Sequence, residues 1–316
     1  MLKDEFFNAT GEIEFNMLND YMFRVVLQES QEALTGLICA LLRLEPEDIT
    51  SIVIENPIKP GERVDVKEFY LDIHLTLNNK ASINLEMQVV NRMNWPDRSL
   101  SYICRNFTDI TKGKDYIEVK PAIHIGFLDY TLFEDDPEFY ATYKMMNVKT
   151  HKIFNDKFVI GVVDLNKIEM ATADDKQYHL DDWVKLFKAK TWEDMKMIAE
   201  KTPELLEASR VIYEYNADRE TRERCIARME YIQDMKRIEN LSERVEKMSE
   251  LLVVLENEKE KLTNEKEKLT SEKEKLTSEK EKMTSEKEKM EDEKEKLASE
   301  LEYIRKFLAE KGIVIE

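Results

Sequence analysis

The chain has 316 residues, 42% apolar and 36% charged, with 48 Lys or Arg against 66 Asp or Glu for a net charge of −18. That length supports one large domain plus an extension, or two ordinary domains, and the acidic balance argues against broad, non-specific coating of nucleic acid while leaving room for a local basic rim. No apolar run reaches membrane-spanning length and no signal pattern marks the start Met1-Leu2-Lys3-Asp4-Glu5, so a soluble, cytoplasmic protein without a membrane partner is expected.

Residues from about Asn19 to Leu44 place Met22, Phe23, Val26 and Leu27, then Leu34, Leu37, Ile38, Leu41 and Leu42, at helical spacing. Asn19 or Asp20 suits the N-cap of the first helix. Ile49 to Glu55 reads as a short strand, followed by a loop from Asn56-Pro57 to Gly61. Leu71-Asp72-Ile73-His74-Leu75 and Leu85-Glu86-Met87-Gln88-Val89 alternate as strands, and Asn78-Asn79-Lys80 between them predicts a hairpin turn. Asp97 to Lys112 predicts a helix with Leu100, Ile103, Cys104 and Phe107 on one face and Gly113 at its end. Pro121 to Phe127 suits a central strand, and Phe139–Met146 and Phe158–Leu165 add two more.

From His179 to about Lys236 the pattern turns helical, with Trp183, Val184 and Phe187, then Met195 to Ala199, then Pro203 to Tyr215; Trp183 and Trp192 are expected in the core. This order predicts an α/β fold, a mixed sheet flanked by helices. The expected divisions are residues 1–180, a helical part at 181–240, and a repeat at 241–316. Cys39, Cys104 and Cys225 form no CxxC pair and read as reduced, buried thiols.

The last division is a different material. It holds 17 basic and 22 acidic residues, which leaves 31 and 44 in residues 1–240, a net of −13. Leu or Met recurs every seven residues at 255, 262, 269, 276, 283, 290 and 297. A seven-residue period predicts a coiled coil, yet with that row at d, position a is Lys (Lys259, Lys266, Lys273), a poor seam. Repeated Glu–Lys pairs also support a lone charged helix by a few tenths of a kcal/mol each. About 65 residues at the helical rise make a rod of roughly 100 Å. A homo-oligomer through this helix is expected, with Leu251–Leu255 and Leu301–Ile315 as contact points.

The chemistry concentrates on the hairpin. Glu86 and Gln88 share one strand face, and Asp72 on the partner strand can join them. Two carboxylates and an amide on an otherwise apolar sheet call for a positive partner, and a divalent metal is the usual one. Simpler roles exist: Asp72 and Glu86 on a solvated face, Asp20 as a helix cap, and Arg98 in a surface salt bridge. His74 reads as structural and His124 as a satisfied core residue.

Asp72 with Glu86-x-Gln88 resembles the metal-binding core of the PD-(D/E)xK nuclease superfamily. Further blocks follow in one order: Asn19-Asp20-Tyr21-Met22-Phe23, Val64-Asp65-Val66-Lys67, Arg98-Ser99-Leu100-Ser101-Tyr102, Gly113-Lys114-Asp115-Tyr116 and Lys120-Pro121-Ala122-Ile123-His124-Ile125. Together they resemble the recombination-promoting nucleases, the PD-(D/E)xK family transposases, over roughly residues 15–235. The resemblance implies a restriction-endonuclease-like sheet and a DNA endonuclease dependent on Mg²⁺ or Mn²⁺. It implies Asp72, Glu86 and Asp20 as metal ligands, and Gln88 and Arg98 as further catalytic residues. Gln88 departs from the superfamily's commoner Lys, since an amide orients water but brings no charge. The cation then comes from Arg98, with Arg92 and Lys67 behind it. The competing expectation is a nuclease-derived binding module that no longer cuts, with the tail as scaffold.

Overall fold

The computed structural model describes residues 5–57, 73–107 and 115–310. Two units are distinguished, Met1–Leu241 and Ser242–Glu316. In the first, six strands among the described residues form one mixed sheet: β1 (Ile52–Ile54), β2 (Ile73–Leu77), β3 (Ala81–Gln88), β4 (Ala122–Leu128), β5 (Tyr140–Met146) and β6 (Ile153–Asp164). Their spatial order is β1-β2-β3-β4-β6-β5. β3, β4 and β6 run parallel at the centre, while β1, β2 and β5 pair antiparallel at the flanks.

The β2–β3 hairpin forms where expected. Asn78 and Asn79 adopt positive φ of 51° and 57°, a conformation asparagine tolerates in tight hairpin turns. Register places Ile73 opposite Leu85 and Leu77 opposite Ala81.

Seven helices of eight or more residues occur among the described residues: α1 (Asp20–Glu29), α2 (Gln31–Leu42), α3 (Trp95–Phe107), α4 (Leu180–Lys188), α5 (Trp192–Ala199), α6 (Pro203–Ala217) and α7 (Arg219–Glu310). Asn19 caps α1, its side-chain oxygen accepting from the Tyr21 and Met22 amides. Its amide nitrogen donates to the Cys225 carbonyl on α7 at 3.0 Å, so one side chain starts the first helix and ties it to a distant one.

The main core fills one side of the sheet. Ile83, Leu85, Met87, Ile125 and Phe127 meet Phe23 of α1 and Phe187 of α4, and Trp183 is 2% exposed within it. A smaller cluster of Trp95, Leu128, Ala141 and Val162 lies on the other side, under α3.

Two expectations are corrected here. The helix α3 starts at Trp95 and buries Trp95, Ser99 and Ile103, four residues apart, while Leu100 is 45% exposed. Its buried stripe is therefore rotated from the one expected, because the strip of sheet it covers is partly polar. Cys104 is exposed, whereas Cys39 and Cys225 are buried. Burial pushes those two thiols up to about 11 and about 12, which leaves them unreactive.

In the second unit, α7 continues through the heptad repeat as unbroken helix. Its Leu and Met column is exposed, from 50% at Leu255 to 70% at Met283. Among the described residues no single helix is long and apolar enough to cross a membrane.

Candidate active site

Alternation along β3 sends Ile83, Leu85 and Met87 to the main core and Asn84, Glu86 and Gln88 to the side covered by α3. Glu86 is 2% exposed there. A carboxylate that deep needs compensating charge. Arg98 supplies it, its Nη2 standing 2.6 Å from Glu86 Oε1. The guanidinium also sits over the Tyr102 ring, 5.3 Å from its centre, so the arginine is held by β3 on one side and by the next turn of α3 on the other.

His124 lies beside Asn84 in the β3–β4 register and is fully buried. Asn84 Nδ2 donates to His124 Nδ1 at 3.0 Å, which assigns the ring proton to Nε2. That nitrogen is 3.6 Å from Glu86 Oε2, too long for a hydrogen bond but close enough to orient the carboxylate. Burial, reinforced by the Arg98 guanidinium, pushes His124 down to about 3, so the imidazole is neutral. Tyr102 stacks on it at 5.7 Å and 5°, with Trp95 on the ring as well at 5.2 Å.

Trp95 reaches this position because Gly126, the register partner of Glu86, has no side chain. A Cβ there would lie 2.2 Å from Trp95 Cη2. Gln88, half-buried at the end of β3, donates Nε2 to the Val90 carbonyl at 2.9 Å. Its amide oxygen is thereby turned away from that carbonyl. Tyr130 is held well above its ordinary range by burial, with the Glu86 charge adding to it.

Asp20 opens α1 and is 4% exposed. Arg228 of α7 grips both its oxygens, with Nε at 2.7 and 2.6 Å and Nη2 also on Oδ2. Burial raises the Asp20 carboxyl above the usual carboxylate range, opposed by that guanidinium. Tyr231 lies against Arg228, 4.5 Å from guanidinium to ring centre, and its hydroxyl accepts from Arg92.

Of the residues singled out in the sequence, Glu86 and Arg98 meet directly and Gln88 stands two residues along the same face. Asp20 is engaged by Arg228, so metal binding there would require that pair to open. Arg92 belongs to the Tyr231 contact, and Asp72 and Lys67 lie outside the described residues. His74 bonds Ser82 Oγ at 2.9 Å, a structural role. Sequence reasoning missed Asn84, Tyr102, Trp95, Tyr130 and Arg228. The first follows from the polar alternation Asn84-x-Glu86-x-Gln88; Arg228, some two hundred residues from Asp20, has no local signal.

Among the described residues no group of three or more His, Cys, Asp or Glu side chains could hold a metal. Glu86 and Gln88 offer a hard anionic oxygen and an amide oxygen, donors suited to Mg²⁺ rather than to a soft metal.

Residues 17–242 match the family model described as PD-(D/E)XK nuclease family transposase. A second model, FAZ1, C-terminal, matches residues 277–303, all within the heptad repeat. No match is found among curated proteins or solved structures. The first match spans well over half the chain and contains the whole sheet together with Glu86, Gln88, Arg98 and Asp20: the chain belongs to the PD-(D/E)XK nuclease family transposases.

Proposed function

We propose that this chain is a DNA endonuclease that hydrolyses phosphodiester bonds with Mg²⁺ or Mn²⁺, in transposase-like or mobile-element DNA processing. The observation that carries the reading is Glu86, a carboxylate buried on the sheet and held by a cation. Glu86, with Asp72 from the sequence, would hold the metal, which when bound acidifies water and relieves charge on the phosphate. Arg98 is 28% exposed, so its guanidinium is within reach of solvent and of a phosphate, supplying the charge that Gln88 lacks. His124, neutral and protonated on Nε2, orients Glu86 without competing for its charge. Gln88 orients a water through its amide oxygen.

The test is cleavage of supercoiled plasmid with Mg²⁺ or Mn²⁺. Wild type nicks or linearises it; Asp72→Ala and Glu86→Ala leave it intact. Plasmid left intact by wild type with both metals would sink the reading. It would favour a second one, a binding module that no longer cuts, which is supported by Arg98 on Glu86 and Arg228 on Asp20. In both readings the heptad helix associates copies of the chain, as its exposed apolar column suits. The buried thiols Cys39 and Cys225 fit a reducing, cytoplasmic setting.

A further inference from the structure

The first unit is strongly acidic, yet one projection from its sheet is not. Between Lys144 and Phe154 the β5–β6 hairpin carries Lys144, Lys149 and Lys152 and no acidic residue, in a division whose net charge is −13. Its tip is a built turn: Asn147 N donates to the Lys152 carbonyl at 2.9 Å, His151 N donates to the Asn147 carbonyl at 2.8 Å, and Asn147 Oδ1 accepts from the amides of Lys149 and Thr150 at 2.9 and 3.0 Å. Lys157 ties the root, donating to the carbonyls of Ile117 and Val119 at 2.8 and 3.0 Å. On this fixed ribbon Val148 is 86% and Phe154 81% exposed, with Met145, Met146 and Ile153 nearly half exposed.

Lysines alone have a simpler explanation, since charge on an edge strand blocks pairing with other sheets. That device keeps apolar side chains away from the edge, so it leaves Val148 and Phe154 unexplained. A surface that is both cationic and apolar fits a polyanion with apolar steps. A two-stranded ribbon enters the major groove of B-form DNA, where lysines meet phosphates and apolar side chains meet thymine methyls. The major groove of duplex RNA is too narrow for it.

We propose that the β5–β6 hairpin is a DNA-contacting ribbon that seats in the groove of a duplex, with Lys149 and Lys152 at phosphates and Val148 and Phe154 at the base edges. The proposal rests on the reading of this chain as a protein that acts on DNA, and it assigns the duplex-binding surface to an element away from Glu86.

The experiment is fluorescence anisotropy of the full chain with a labelled duplex of about 30 bp, without divalent metal, across a salt series. Lys149→Ala/Lys152→Ala is expected to weaken binding at least tenfold near 0.1 M salt and to lower the slope of log K against log salt by about 1.8. Val148→Ser/Phe154→Ser is expected to weaken binding several-fold with the slope unchanged. Wild type that binds no duplex, variants that bind like wild type, or equal affinity for duplex RNA would each overturn the proposal. So would Val148→Ser/Phe154→Ser dissociating a dimer in sedimentation velocity with DNA binding intact, which would make the tip an interface between copies. Thermal unfolding checks that both variants are folded. Glu86-dependent cleavage with hairpin-independent binding refutes the ribbon alone; hairpin-dependent binding without cleavage refutes the catalytic reading alone.

Discussion

Arg98 Nη2 stands 2.6 Å from Glu86 Oε1, joining α3 to the polar side of β3. The two partners differ in exposure, 28% for the arginine side chain and 3% for the glutamate. Removing one member of a fully buried pair costs about 3–5 kcal/mol, because the other charge is left stranded. Water can partly replace Arg98, so Arg98→Ala is expected to cost about 2 kcal/mol in urea unfolding. Arg98→Lys keeps the charge but loses the planar guanidinium over Tyr102, so it should cost about 1 kcal/mol, less than Arg98→Ala, while retaining more plasmid cleavage. Equal loss in the two variants would show that charge at this position does not matter.

The same helix depends on a missing side chain. Gly126→Ala would place a methyl 2.2 Å from Trp95 Cη2 and Cζ2, and Trp95 is 2% exposed with little room to move. Overpacking of this kind costs about 1–3 kcal/mol, with the upper end expected for a clash against a rigid ring. Because Trp95 begins the helix that carries Arg98, the substitution should reduce cleavage as well as stability. The smaller ring of Trp95→Phe should recover part of both in the double variant, measured by thermal unfolding and plasmid nicking.

These two contacts mark how far the sequence could be read. The polar alternation on β3 exposes Glu86 and Gln88 as an anomaly on an apolar sheet, and Asn78-Asn79 announces the turn that sets their register. Asn19 is visible as a cap because capping is a local event. The close approach of Trp95 to Gly126 is not visible, since a glycine inside a strand needs no unusual φ to signal what lies above it. The grip of Arg228 on Asp20 is equally hidden, one arginine among many on a charged helix. The buried stripe of α3 is hidden as well, because it runs through Ser99, a polar residue that an apolar pattern passes over.

His124 predicts an acid sensitivity. Its folded pKa of about 3 lies below the ordinary value of 6.5, so between these values the unfolded chain binds the proton that the folded one refuses. Stability is therefore complete above pH 6.5 and falls as pH drops toward 3, by on the order of 4 kcal/mol from this residue. In His124→Asn that component should vanish, so its urea midpoints at pH 7 and pH 4 should lie closer together than those of wild type. A wild-type midpoint unchanged between these two conditions would contradict a neutral, buried imidazole.

Asp20 and Arg228 should behave as one unit that clamps α1 to α7. Asp20→Ala takes the carboxylate away from a guanidinium whose side chain is 15% exposed, and Arg228→Ala takes the guanidinium away from a carboxylate whose side chain is 5% exposed. Each single variant is expected to lose about 3 kcal/mol, and the double variant no more than either. A double-mutant cycle in urea measures the coupling. Losses that simply add would show two independent residues.

The heptad helix presents the last case, in which one apolar residue per repeat must compete with a lysine. With Leu262, Leu269 and Leu276 at d, Lys266, Lys273 and Lys280 fall at a and would face each other across a parallel seam. Association is then expected to be weak and concentration-dependent in sedimentation velocity of the full chain. Replacing Lys266, Lys273 and Lys280 by Leu completes the seam and should shift the chain to a stable oligomer at concentrations where wild type dissociates. Leu269→Ser/Leu276→Ser should weaken association further, because these leucines, 60% and 65% exposed, belong to the apolar column that forms the seam. If the lysine replacements leave the association unchanged, the leucine column is not a seam and the repeat acts as a single charged helix.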